Sequence, residues 1–300
     1  MPLRFGMTAL DFQSTAQQVI SNGIPDFSRL NVTDIIRDVA SEGYTIMELS
    51  LDAKYILDSI FTPESIDSLV DLKDELELSY TVHLPFWSID LATFNEPVRE
   101  GCVKSIIECI LLAERLDPEA YVLHATGCLA AEFSALPYSK DMVRLICSLL
   151  SSFSMQSVED IISQTEIESR KLAIENCNFP FDITRNVIDE LDTGICFDTA
   201  HLITRMSGTE SVMDFYKTNK DRIIEVHLQD GTYSEYDDAI GRDDHIPLGH
   251  GIMGDLVLRE FLLALVKDEF RGPIIFELTK SEVRESLDYI RKVVPEVLSS

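Results

Sequence analysis

What most restricts the fold of this chain is a rhythm. A short apolar run, a polar turn and a stretch with helical spacing of apolar residues recur from end to end, with no linker or low-complexity tract between them. The apolar runs predict eight strands, over Arg4–Thr8, Tyr44–Leu49, Leu78–His83, Tyr121–His124, Lys171–Glu175, Gly194–Asp198, Arg222–His227 and Pro273–Glu277. Helical patterns fall between them. Asn31 caps one that runs to Ser41; another opens at Thr62 with Pro and acid in its first turn. Others cover Pro97–Leu116, Ser139–Glu168 (with a break near Ser151–Ser154), Asp182–Leu191, Ser207–Thr218, Asp255–Asp268 and Ser281–Leu298. Strands alternating with helices imply a parallel sheet, and near-continuous apolar strands such as Ile-Cys-Phe and Ile-Ile-Phe suit burial on both faces. Closing eight such units gives a (β/α)8 TIM barrel, with residues 1–300 as one domain and the active site at the strands' C-terminal ends. An open doubly wound sheet is the competing architecture. No GxGxxG follows the first strand, so its dinucleotide-binding version lacks support.

Charge narrows the partners. With 52 acidic against 25 basic residues the formal charge is −27, a surface that repels phosphate backbones and anionic lipids. A general nucleic-acid binder is therefore not expected, nor is a membrane-bound protein, because no apolar run reaches the ~18 residues a span needs. The six cysteines form no CxxC pair and mostly sit in apolar runs, the usage of buried thiols in a reducing compartment. The opening residues lack a signal-peptide core. The expectation is a cytoplasmic protein.

The chemistry gathers at the strand ends. His83 closes Tyr-Thr-Val-His, His124 closes Tyr-Val-Leu-His and His227 closes Ile-Glu-Val-His. Glu175, Asp198 and Glu277 close three more strands, and His201 lies three residues beyond Asp198. In a barrel these ends meet at one mouth. Carboxylates crowded there would repel one another unless a cation held them, and imidazole with carboxylate suits zinc, manganese or iron. Beyond the seventh strand, Asp243 and His245 stand two apart, a spacing that in extended backbone turns both side chains the same way. His250, in a Gly-His-Gly turn, is read as a substrate-side residue and not a ligand. Phe86 and Trp87 follow His83 and could wall the pocket. Arg205, Arg242 and Lys280 lie just past strand ends, where a phosphate would meet them, and Arg242 is the one assigned to substrate. The insertion Asp11–Asn31 is long for a βα loop and reads as a lid. Glu48, ending the second strand, is either an acid–base group or the partner of a nearby base.

Several stretches carry a family resemblance: HLPFWSIDLA, AIEN, GICFDTAH, and VHLQD followed by GRDDHIPLGHGIMG and FEL. In this ordered set the chain resembles the xylose-isomerase-like TIM barrels, which include endonuclease IV and many sugar isomerases and epimerases, from about Asn31 to Glu277. The resemblance implies a core metal site on Glu175, Asp198, His227 and Glu277. It also implies the further ligands of an endonuclease IV-like three-metal cluster: His83 and His124 with Glu175 as a bridge, and His201 with Asp243 and His245. Zinc is the metal that the ligands and the family favour, up to three ions, with manganese or iron as alternatives. A cluster of that kind implies phosphate-ester hydrolysis with Glu175 and Glu277 as catalytic carboxylates. The opening RFGMTALDFQSTAQQVISNG departs from the endonuclease pattern, and the loops are poor in Lys and Arg. The expected substrate is thus a small nucleotide-like phosphodiester, with the nucleotide loop of a corrinoid as one example. The alternatives are a one-metal sugar or keto-acid isomerase or epimerase, and an AP endonuclease.

Overall fold

A computed structural model describes residues 3–10, 20–21, 24–25, 30–57, 59–236 and 239–298. Eight parallel strands, β1 (Arg4–Thr8), β2 (Ile46–Ser50), β3 (Ser79–His83), β4 (Tyr121–Leu123), β5 (Leu172–Glu175), β6 (Gly194–Asp198), β7 (Ile223–His227) and β8 (Pro273–Phe276), follow one another around a closed barrel. The ring shuts where β1 pairs with both β8 and β2. All eight stand where the hydrophobic runs place them. At that seam Gly6 faces inward, and a Cβ there would lie 2.5 Å from the Ile46 carbonyl, so only glycine lets β1 approach β2.

The outer shell holds α1 (Val32–Ala40), α2 (Pro63–Leu76), α3 (Glu96–Ala113), α4 (Lys140–Thr165), α5 (Phe181–Leu191), α6 (Val212–Asn219), α7 (Gly254–Lys267) and α8 (Lys280–Val293). Local chemistry starts several of them. The Asn31 side chain accepts from the Thr33 and Asp34 amides, and Thr62 with Ser65, then Thr279 with Glu282, close capping boxes. Each helix turns an apolar stripe inward, as α1 does with Ile35, Ile36 and Val39.

One helix corrects the sequence reading: α4 is unbroken. Its serines are buried contacts instead of a stop, since Ser154 Oγ donates to the Ala125 carbonyl at 2.5 Å and Ser157 Oγ to that of Leu91 at 2.8 Å. By length and composition α4 also has what a membrane crossing needs, against the expectation that no segment does. Its buried face, including Cys147, Leu150, Val158 and Ile161, holds part of that apolar content, while Met142, Leu145 and Leu149 are exposed.

At the N-terminal end of the barrel, Arg4 forks onto Glu119 at 2.6 and 2.7 Å and donates to the Arg271 carbonyl at 2.9 Å. Beyond β7 an antiparallel hairpin, Asp230–Tyr236 with Ala239–Ile246, reaches over the opposite end. The proposed lid, Asp11–Asn31, lies largely outside the described residues; within it Ile20–Ser21 pairs with Ile24–Pro25.

Candidate metal centre

Strand alternation in a closed barrel sends every second side chain to the axis. Thus the ends of β3 to β8, or the residues just past them, bring His83, His124, Glu175, Asp198, His227 and Glu277 together. Their ligating atoms form overlapping groups whose members lie within 4.8 Å of one another: His83–His124–Glu175, Glu175–Asp198–His227–Glu277, and Asp198–His201–His245. Glu175 belongs to the first two and Asp198 to the last two. Glu175 Oε2 is 2.7 Å from His124 Nε2 and 3.4 Å from His83 Nε2; its Oε1 is 3.2 Å from His201 Nδ1 and 3.4 Å from His227 Nδ1.

A metal fits this arrangement on two grounds. Glu175 Oε1, His201 Nδ1 and His227 Nδ1 are buried and close together, yet none is in hydrogen-bonding geometry, an arrangement that a shared cation would satisfy. The rings are also fixed from behind. His83 Nδ1 donates to the Leu84 carbonyl at 3.0 Å, which in the neutral ring leaves Nε2 as the free donor to a cation. His227 Nε2 meets Glu48 Oε2 at 3.2 Å and presents Nδ1. Asp244 stands 3.5 Å from His201 Nε2 and 3.1 Å from His245 Nδ1, so the other nitrogen of each ring faces Glu175 or Glu277.

The electrostatics agree. Burial opposes charge on these groups, but the pairing outweighs it. Asp198, Asp244 and Glu175 hold the His201 ring well above the ordinary imidazole value. Asp244 and Glu277 raise His245 to about 10. In return, His124 depresses Glu175, and His227 with His245 depresses Glu277. Without a cation the imidazoles carry the positive charge the carboxylates require; a metal would displace those protons.

Several assigned residues stand elsewhere. Asp243 is exposed and outside the ligand groups, because a β-bulge lies between the Asp230–Ile246 and Thr232–Asp243 pairs. The extra residue breaks the two-residue alternation and turns Asp244, not Asp243, toward His201 and His245. Arg242 donates to the carbonyls of Thr204 at 3.0 Å and Arg205 at 3.3 Å, tying the hairpin down instead of facing substrate. His250 is exposed and bonded to Glu285 at 2.8 Å. Arg205 pairs with Glu235 at 3.6 Å and lies over the Tyr233 ring, while Lys280 pairs with Asp38 and Glu42.

Phe86 does line the pocket, its ring 4.5 Å from that of His124 and 5.0 Å from that of His83; Trp87 sits edge-on to Phe86 and is half exposed. The cavity is about 220 Å³, completed by Thr126, Cys177, Asn178 and Met206 among others. Gln229, unremarked in the sequence, donates to Asp198 Oδ2 at 2.7 Å and to Glu277 Oε2 at 3.1 Å. Its position two residues past a strand-end histidine was the available signal.

The pattern of the xylose isomerase-like TIM barrel matches residues 36–293. An uncharacterized protein of Methanocaldococcus jannaschii is 24% identical over 311 residues, covering 99% of this chain and 93% of that one. Among solved structures, a D-tagatose 3-epimerase-like protein has a TM-score of 0.69 at 21% identity and 98% coverage of both chains. Endonuclease IV from Thermus thermophilus has a TM-score of 0.65 at 17% identity, covering 98% of this chain and 99% of its own. At such identities the structural likeness speaks for the fold.

Proposed function

The chain belongs to the xylose isomerase-like TIM-barrel family, and on that premise we propose that it is a metal-dependent hydrolase of a small phosphate ester. One observation carries the reading: the three mouth groups share carboxylates, Glu175 between the first pair and Asp198 between the second. Shared carboxylates are what neighbouring ions need and a lone ion does not. Zinc suits the mixture of imidazole and carboxylate, with manganese or iron as substitutes. When bound, such ions supply polarisation of a water and neutralisation of the charge that builds on a phosphate.

The protein's own groups do the rest. Glu175, fully buried, fixes the spacing of the first two groups. Glu277 is more open, at 19% exposure, and is held by Gln229 and His245; it orients the incoming water and takes its proton. Phe86 shields one side and offers a face to a ring. Among the described residues lining the cavity there is no Lys or Arg, so a phosphate would be met by the ions alone. A cavity of about 220 Å³ without basic side chains favours a small phosphodiester over duplex DNA, and nothing in it selects a corrinoid.

Elemental analysis after zinc loading, together with hydrolysis of bis(p-nitrophenyl) phosphate and of small nucleotide phosphodiesters, tests the proposal. More than one ion per chain and turnover that fails in Glu277→Gln are expected. A single ion with no hydrolysis overturns it. One observation favours a second reading, a sugar epimerase: the cavity is of single-sugar size, and Glu175, Asp198, His227 and Glu277 would suffice for one ion. Ketose epimerisation that survives His245→Ala would establish that alternative. Cleavage of an abasic duplex at low salt would instead establish the endonuclease.

A further inference from the structure

Below the mouth the barrel interior holds a second polar layer that the chemistry above does not use. Glu48 on β2, Thr81 on β3 and Glu225 on β7 all face the axis and are 0% exposed. Glu48 and Thr81 are register partners, and the Thr81 side chain faces Glu225. Ligating atoms of Glu48, Glu225 and His227 lie within 4.8 Å of one another. Glu48 Oε2 is taken by His227 Nε2 at 3.2 Å. The remaining Glu48 oxygen, both oxygens of Glu225 and the Thr81 hydroxyl make no hydrogen bond.

So much unmet polarity is costly. A buried hydroxyl without a partner forfeits the hydrogen bond it makes in water, and a carboxylate forfeits more. Among the described residues Glu225 has no ion pair, and that of Glu48 is with His227 alone. The neutral Thr81 hydroxyl is an observation separate from the carboxylates: it, too, is sealed and aimed into the same space. All the free atoms are oxygens, in contrast to the imidazole-rich mouth. Oxygen-only sets select hard cations, and two carboxylates match a divalent charge.

We propose that Glu48, Thr81 and Glu225 form a separate site for a hard divalent cation of the Mg2+ or Mn2+ type, directly beneath His227. His227 then stands between two compartments, with Nδ1 toward the mouth and Nε2 toward Glu48. An ion below would hold Glu48 in place and so fix the ring that the upper centre uses.

The test uses Mn2+ alone as the probe, because the layer is sealed and Mn2+ scatters anomalously. Protein produced in Mn2+-supplemented medium and then zinc-loaded at the mouth would be crystallised and its anomalous map calculated at the manganese edge. A peak between Glu48 and Glu225, absent from Glu225→Gln and weakened in the isosteric Thr81→Val, is expected, with zinc content at the mouth unchanged. Thr81→Val keeps the test open should Glu225→Gln fail to fold. No peak in the wild-type protein, whether because water fills the space or because the two carboxyls share a proton, overturns the inference. So does an equal peak in Glu225→Gln. Neither result bears on the mouth, whose zinc count is read separately.

Discussion

Replacing Asp230 by Asn would test whether the loop beside the metal centre is held by one carboxylate. Asp230 is 1% exposed and takes four backbone N–H groups. Its Oδ1 accepts from Gly231 at 2.9 Å and Met253 at 3.0 Å, and its Oδ2 from Gly249 at 3.1 Å and Gly251 at 3.0 Å. The space is closed, for a Cβ on Gly251 would lie 2.2 Å from Asp230 Oδ1. An asparagine of the same shape keeps one oxygen and turns an NH2 toward the other two N–H groups. Two charge-assisted bonds are lost, at roughly 1.5–3 kcal/mol each, and two donors face a donor. The expected loss is about 3–5 kcal/mol in urea unfolding with an unchanged slope, or roughly 5–10 °C in Tm. Hydrogen exchange at Gly249, Gly251 and Met253 should accelerate before the barrel strands do. A change below about 0.5 kcal/mol with protection intact would falsify the reasoning, since those amides would then be satisfied by solvent.

Other outcomes follow from the same geometry. Asp243→Asn should leave metal content unchanged, whereas Asp244→Asn should weaken retention at the His201–His245 group by roughly 10–100-fold, measured by competition with a chromophoric chelator; equal effects would contradict the bulge argument. Chelation should lower Tm, because an ion bound at 100 times its Kd adds about 2.7 kcal/mol to the native state; calorimetry of holo and stripped protein checks this. Glu119 is half buried, which works against its charge, but Arg4 and Ser79 outweigh that and depress its carboxyl. Its contribution is therefore present above the unfolded carboxylate value and fades as pH falls through the folded one. Glu119→Gln should flatten the acid limb of the stability curve by no more than about 1 kcal/mol, given the solvent screening of a part-exposed pair.

The strand ends were legible because two facts suffice to place them: alternate residues share a face, and a barrel gathers its C-terminal ends. Hence His83, His124, Glu175, Asp198, His227 and Glu277 could be assigned with no knowledge of tertiary contacts. What escaped depended on a single-residue event or on a partner distant in sequence. The bulge that exchanges Asp243 for Asp244 has no sequence marker, and period-two reasoning fails wherever a residue is inserted. Proximity to the mouth points Arg242 and His250 toward substrate, but Thr204, Arg205 and Glu285, which engage them, are 35 to 38 residues away. Ser151–Ser154 resembled a helix break because serine is a poor helix former; its hydroxyl contacts to the barrel become visible only after folding. Glu225 stands two residues before His227, so alternation already puts it on the axial face, and Glu48, read as an acid–base group or the partner of a nearby base, meets His227; that the two carboxyls come together depends on strands far apart in sequence.

Six of the ligands stand at or just past the ends of six consecutive strands, and the last of them, Glu277, follows the strand that completes the ring. During synthesis the cation cage therefore stays unfinished until residue 277 has emerged and docked beside Arg4–Thr8. A nascent chain that stalls between His245 and Glu277 offers the His83–His124–Glu175 and Asp198–His201–His245 groups but lacks the fourth member of Glu175–Asp198–His227–Glu277, so an ion held by that central group marks a barrel that has closed.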